Sequence, residues 1–265
     1  MPMTTLVRVC GLRKSYARRQ RVFSRALCLE ILDGIELEIR AGTTLALVGE
    51  SGSGKSTLAR CLARLEDIDS GEIWFDGREV SSLRSESLRL LRREIQIVFQ
   101  DPASALNCRF SVAEIIMEPL VIQGICSRRE GRLRALDLME QVGLPRLASG
   151  RLPLELSGGQ RQRLAIARAL ALEPRFLILD EALSGLDLSI QAQLIKLLLD
   201  LQASRSLTYL FISHDLGVAA GIADEIAVMN RGRIAEKAPG ADLFKEAQQP
   251  ITRSLLSAIP SIRSI

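Results

Sequence analysis

Only one histidine, His214, occurs in the 265-residue chain, and none of the five cysteines (Cys10, Cys28, Cys61, Cys108 and Cys126) forms a C-x-x-C pair. A zinc centre is therefore not expected. The thiols read as reduced side chains, mostly packing residues, in a reducing compartment. Aromatic residues make up 4% of the chain. That is too few for a base-stacking platform, so nucleic acid is not an expected partner. No uninterrupted apolar run reaches the length of a membrane span. Met1 to Gln20 has no apolar h-region, so the chain is expected in the cytoplasm. Charge bias is also small. A net charge of +4 and a pI near 9.0 suit a nucleotide, an anionic membrane surface or nucleic acid, and separate them weakly.

With 47% hydrophobic and 25% charged residues, the chain has an ordinary globular profile. Strand-like and helix-like stretches alternate. Leu6 to Cys10 reads as a strand, residues 17–30 as a basic, irregular loop, and Ile35 to Ile39 as a half-buried strand. Leu45 to Val48 is a buried strand, and Leu58, Leu62 and Leu65 mark the helix after it. Further strands are expected at Glu72–Phe75, Ile95–Phe99, Phe176–Leu179 and Leu207–Ser213, with a hairpin around Asn230-Arg231-Gly232. Such alternation implies a three-layer α/β core with a largely parallel sheet. From 101 to about 156 the strand signal disappears, and Pro119 breaks the helical pattern. Arg128 to Val142 is amphipathic, with Leu133, Leu136, Leu138 and Val142 as its expected buried side and its arginines as a solvated face.

The strongest motif is Gly49-Glu50-Ser51-Gly52-Ser53-Gly54-Lys55-Ser56, followed by Thr57. It fits G-x-x-x-x-G-K-[ST] without mismatch and lies between a strand and a helix. Glycines let backbone N–H groups turn inward, and the helix N-terminus adds partial positive charge. Lys55 would reach the β- and γ-phosphates of a nucleotide, and the Ser56 hydroxyl would sit on Mg²⁺. Asp180-Glu181 closes a buried strand. Asp180 would hold Mg²⁺ or its water shell, leaving Glu181 to polarise a water. Taken alone, the pair equally fits two strand-end acids facing solvent. Ser157-Gly158-Gly159-Gln160 opens a helix, and its paired glycines expose N–H groups to an anion. An ordinary serine cap would explain Ser157 but not two glycines, which weaken a helix.

In this order the motifs resemble those of the ATP-binding-cassette ATPases, over about residues 6–236. The resemblance implies a P-loop NTPase (RecA-like) three-layer core with an antiparallel β subdomain and an inserted α-helical subdomain. The expected division is 1–100 and 157–236 for the core, 101–156 for the helical subdomain and 237–265 for a C-terminal extension. It also implies Tyr16 stacking on adenine, Gln100 sensing Mg²⁺ and the transmembrane partner, and Leu156 to Gln160 as the signature sequence. Asp187 belongs to the loop joining two active sites, and His214 contacts the γ-phosphate. Lys55, Glu181 and His214 are then the catalytic set, and Ser56, Gln100 and Asp180 the metal-associated one.

A narrower likeness links residues 100–107 and 249–260 to the dipeptide, oligopeptide and nickel importer ATPases. It implies ATP and Mg²⁺ as ligands and a second, similar ATPase as partner, most often a different one. Two permease subunits and an external solute-binding protein complete the set, at the cytoplasmic face of a bacterial inner membrane. With no cysteine beyond Cys126, no iron–sulfur cluster is expected. The same cassette also serves soluble machines, so a phosphonate-cleaving complex is the alternative. Departures from the family are Ala182-Leu183 where Pro-Thr is usual, Cys108 for a proline, and Gln249 and Ile251 where His and Tyr are common. The missing proline is expected to loosen the loop toward Asp187.

Overall fold

The computed structural model describes residues 4–18, 27–101, 105–243 and 245–257. Pro102 to Ser104, within the segment that follows Gln100, and Ala258 to Pro260 of the C-terminal motif lie outside the described residues. The chain divides into two compact units, Met1–Arg89 with Thr208–Ile265, and Leu90–Leu207.

The first unit contains two groups of strands. β1 (Thr5–Arg18) pairs antiparallel with β2 (Leu27–Arg40) on one side and β4 (Ser70–Phe75) on the other, and β5 (Arg78–Glu79) adds to β4. β3 (Thr44–Val48) lies parallel between β8 (Thr208–Ser213) and β9 (Glu225–Asn230), and β10 (Arg233–Pro239) returns antiparallel on β9. Every residue of β3 and β8 is buried. Strands covered on both faces read as continuous apolar runs, which is why these two were plain from sequence. α1 (Lys55–Leu62) follows β3 directly and buries Leu58 and Leu62.

β1 and β2 run much further than their alternating cores suggested, and both ends of the expected 17–30 loop belong to strands. The physical reason is that the two strands satisfy each other's backbone groups. Their outer pairs, such as Tyr16 opposite Leu29, stay exposed and so do not follow the apolar-in, polar-out alternation of a half-buried strand.

α2 (Ser85–Glu94) carries the chain toward the second unit, where β6 (Ile95–Val98) pairs parallel with β7 (Phe176–Asp180). The helices here are α3 (Val112–Ile122), α4 (Arg128–Gln141), α5 (Gly158–Leu170) and α6 (Leu188–Arg205). α3, α4 and α5 each begin with a reciprocal capping box: Ser111 with Glu114, Ser127 with Glu130 and Ser157 with Gln160. α3 runs through Pro119 rather than stopping there. A pair between Arg168 of α5 and Glu118 of α3, 3.1 Å, ties the helices together.

Leu133 departs from expectation, because it is 60% exposed. The buried stripe of α4 is Gly131, Ala135, Leu138 and Met139, continued by Val142. That stripe follows i, i+4, i+7, i+8, and Leu133 falls off it. The arginines of this helix are exposed, as expected. Of the cysteines, Cys61 is buried, where burial pushes its thiol up to about 12, but Cys28 and Cys108 are exposed and pack little.

The first unit ends with α7 (Leu216–Ala220), α8 (Gly240–Leu243) and α9 (Pro250–Ser257). One carboxylate anchors α9. Glu236 of β10 accepts the backbone N–H groups of Gln248 (2.8 Å) and Gln249 (3.0 Å) and the hydroxyl of Thr252 (2.5 Å). Burial alone would raise this carboxyl. The Thr252 hydroxyl, the two N–H groups and Arg253 together outweigh burial and hold it below its ordinary value. A lowered folded value means the anchor is at full strength above the ordinary carboxylate range and weakens as pH falls through that value. Thr252 is 0% exposed, so removing its acceptor strands a buried hydroxyl, at about 1–3 kcal/mol. We therefore expect Glu236→Ala to speed tryptic cleavage at Arg253 at neutral pH. In the unmodified chain the protection of amides 248–257 from hydrogen exchange, taken relative to their intrinsic rate at each pH, should fall at acid pH, and pH-independent protection there would overturn the anchor.

Candidate functional site

The phosphate loop begins where β3 ends. Gly49 sits where no other residue fits, because a Cβ there would lie 2.2 Å from the Met229 carbonyl oxygen. The Lys55 side chain is 4% exposed, and its ammonium donates to the carbonyls of Gly49 (2.8 Å) and Glu50 (2.9 Å). A buried cation thus lies inside a ring of backbone. The Ser53 hydroxyl is buried as well and lacks a hydrogen-bond partner among the described residues. Leaving such a group unmade costs about 1–3 kcal/mol. An orphaned hydroxyl beside a buried lysine at the N-terminus of α1 fits a phosphate ligand, which satisfies both.

A second piece of backbone fixes the loop's shape. The Gly232 N–H donates to the Ser53 carbonyl at 2.9 Å, and the Gly232 carbonyl accepts from the Asp33 N–H at 2.9 Å. The turn between β9 and β10 therefore bridges the phosphate loop to β2. Gly232 has φ +79°, and a Cβ there would lie 2.5 Å from the Ile31 carbonyl oxygen, so the bridge needs glycine. Asp33 is braced in turn. Arg233 donates to its carboxylate at 2.6 Å and Arg13 donates to the other oxygen. Hydrogen bonding from Arg233, aided by the charges of Arg233 and Arg13, outweighs burial and holds the Asp33 carboxyl below its ordinary value. The hairpin was legible from sequence, but its contact with the loop was not. Asn-Arg-Gly is a common turn, and nothing local tells which backbone it meets.

Tyr16 lies on β1, 38% exposed, with the Lys14 ammonium over its ring at 5.4 Å from the centroid. Its hydroxyl donates to Glu66. His214 is exposed just beyond β8, and Asp215 caps α7 through the N–H groups of Gly217 and Val218. The first unit thus carries Tyr16, the whole phosphate loop and His214.

The second unit carries the remaining candidates. Asp180 ends β7 and is 5% exposed. Glu181 follows with φ +48°, a left-handed conformation that costs a non-glycine residue roughly 1–2 kcal/mol. Sequence reading had no sign of this strain. The Ser184 N–H closes the turn on the Glu181 carbonyl at 3.0 Å. Ala182 and Leu183 are both buried, and Gln191 donates to the Leu183 carbonyl at 3.1 Å. The segment expected to loosen without its proline is packed and bonded instead.

Gln100 is exposed beyond β6. Ser157 is the cap of α5, accepting from the Gln160 N–H at 3.3 Å while Gln160 accepts from the Ser157 N–H at 3.0 Å. The ordinary capping role is therefore real. It does not account for Gly158, which is exposed. Gly159 has a packing reason, because a Cβ there would lie 2.8 Å from Ile190 of α6. Asp187 caps α6 by its backbone, with its side chain exposed and making no cap bond.

Known proteins resemble this chain over most of its length. The ABC transporter family pattern matches residues 32–184. A Brucella ovis protein named for peptide import as an ATP-binding protein is 48% identical over 98% of this chain and 80% of its own. A dipeptide transport ATP-binding protein of Haemophilus influenzae is 44% identical over 98% of this chain and 79% of its own. Among solved structures, a dimeric ATP-binding cassette in a post-hydrolysis state, bound to ADP and Pi, is similar at TM-score 0.79 and 29% identity. That match covers 88% of this chain and 98% of the other.

The bridge through Gly232 makes a sharp prediction. Gly232→Ala should push the turn off the Ser53 carbonyl and weaken Mg·ATP binding by about tenfold or more, a loss of roughly 1.4 kcal/mol or more. Titration calorimetry on the folded variant checks this, and unchanged affinity would show that the turn does not set the loop.

Proposed function

Because the chain belongs to the ATP-binding-cassette transporter family and is an ATPase of the P-loop NTPase fold that uses ATP with Mg²⁺, we propose that it energises import of peptides or a related small solute. Its proposed place is the cytoplasmic face of a bacterial inner membrane, attached to two permease subunits. The likeness to import ATPases over 98% of the chain carries this reading. Among the described residues no helix is long and apolar enough to cross a membrane, which fits a peripheral subunit that needs membrane partners. An external binding protein would select the solute.

The proposed roles are those that the family resemblance implies, and the chemistry of each residue type suits its role. Lys55 and the backbone N–H groups of Gly49 to Ser56 neutralise the phosphates, with Thr57 at the start of the helix. Tyr16 receives the adenine. Ser56, Asp180 and Gln100 are assigned to Mg²⁺, whose chemistry is to offset charge on the phosphate oxygens. Oxygen donors and few carboxylates suit this ion. Among the described residues no cluster of three or more His, Cys, Asp or Glu side chains could hold a metal by itself. Glu181 orients and polarises the attacking water, and His214 donates toward the γ-phosphate.

Ser157, Gly158, Gly159, Gln160 and Asp187 are assigned to a nucleotide held by a second ATPase subunit. Their exposure supports this role, since Ser157, Gly158 and Asp187 all face solvent. A dimeric relative of the same fold adds support. A different paralogue is the favoured partner, with a second copy of this chain as the other case.

Glu181→Gln should keep ATP binding and lose steady-state turnover by roughly a hundredfold or more when assayed with its partners. Lys55→Ala should instead weaken nucleotide binding itself. Undiminished hydrolysis in the Glu181 variant would sink the catalytic assignment. Co-purification with permeases supports the importer, and recovery in a soluble lyase complex would replace it.

A further inference from the structure

The phosphate loop and the aromatic platform are 33 residues apart in sequence between Gly49 and Tyr16, yet they share supports. Helix α1 begins at Lys55, inside the loop, and the chain leaves it through Leu65, Glu66 and Asp69. Each side of that exit grips β1. The Asp69 carboxylate accepts the Ser15 N–H at 2.6 Å and faces the Lys14 ammonium at 3.5 Å. The Asp69 N–H donates to the Arg13 carbonyl at 3.0 Å. Glu66 accepts the Tyr16 hydroxyl with one oxygen, and Arg60 of α1 lies 2.7 Å from its other oxygen. Thr57 and Arg60, one turn apart on α1, also act on that hydroxyl. Burial first, and Glu66 after it, oppose its ionisation more strongly and raise its pKa.

We infer that Glu66 is a positioning residue for nucleotide binding: it holds the Tyr16 ring at a fixed height and angle against the helix that carries the phosphate loop, so that base and phosphates are read by one rigid frame. The inference rests on the assignment of Tyr16 to adenine. The ring cannot be set by burial, because it is more than a third exposed. Its hydroxyl is the only polar handle it has, and a charged acceptor gives a stronger bond than a neutral one. Lys14 takes one face of the ring. A base therefore stacks on the opposite face, and a ring free to turn would offer either. Fixing it in advance removes part of the ordering cost of binding.

The test compares two probes on the full chain by calorimetry, Mg·ATP and Mg·tripolyphosphate, which has the phosphates without a base. Glu66→Ala and Tyr16→Phe should each weaken Mg·ATP by about threefold to tenfold and leave tripolyphosphate unchanged. The double variant should be no weaker than either single one, because both remove the same bond. Glu66→Gln keeps an acceptor and should recover most of the affinity. Equal losses for both probes would mean that Glu66 merely supports α1, and that result overturns the inference. So does unchanged Mg·ATP affinity in Glu66→Ala while Tyr16→Ala weakens it. If Tyr16→Ala itself binds Mg·ATP normally, the adenine assignment fails and takes this inference with it.

Discussion

Close backbone approach is the constraint on which the nucleotide site depends. The phosphate loop can expose its N–H groups only if its carbonyls are occupied elsewhere and its shape is held from outside. Lys55 occupies the carbonyls of Gly49 and Glu50, and Gly232 occupies that of Ser53. The Met229 carbonyl passes so near Gly49 that no side chain fits between them. Three stretches of chain, from β3, from the turn after β9 and from β2, therefore meet backbone to backbone at Gly49 and Gly232, while the Met229 and Leu32 side chains close on Gly54. Packing of this kind tolerates little displacement, because a close-packed interior has no slack to absorb a Cβ. Pre-organised N–H groups favour a phosphate because their dipoles need not reorient when charge arrives.

The motifs were legible because their chemistry is local. A glycine loop between a buried strand and a helix is written in fifteen or so consecutive residues, about what one such unit needs. The fully buried strands β3, β7 and β8 showed themselves as apolar runs for the same reason. The long outer ends of β1 and β2 did not, because pairing with a neighbour is not a property of either segment. The buried face of α4 was partly misread. Leu133 is apolar and at plausible spacing, yet Gly131 and Ala135 take the contact. A small residue allows close approach, which hydrophobicity alone does not measure. The repeated S-x-x-E and S-x-x-Q spacing before α3, α4 and α5 was visible in the letters and would have set all three helix starts.

Glu181 and Gly159 show why a motif does not by itself disclose how it works. Sequence placed an acid after Asp180, but only the backbone reveals that this acid is left-handed. Strain of that kind persists where neighbours overdetermine it. Here the neighbours are Ala182 and Leu183, buried on its C-terminal side, and the turn bond from Ser184. Burial of these two apolar residues and the turn bond together hold the segment. Gly159 is a packing residue against Ile190, while its neighbour Gly158 is exposed. One half of a paired-glycine motif is thus explained within the chain, and the other half faces outward.

On the proposed roles, outward-facing groups are what separates this chain from a self-contained enzyme. Ser157 and Gly158 at the start of α5 are exposed, and the exposed Asp187 makes no side-chain cap bond to the helix it begins. A helix of thirteen residues such as α5 presents partial positive charge at that end, where an anion is favoured. The inward-facing groups, Lys55 and Ser53, are already framed for phosphate. On the proposed roles, hydrolysis needs both sets and so depends on a partner that brings a nucleotide to the exposed set. Such a requirement ties turnover to assembly, which suits a motor that should not consume ATP unless a transporter is present to use it.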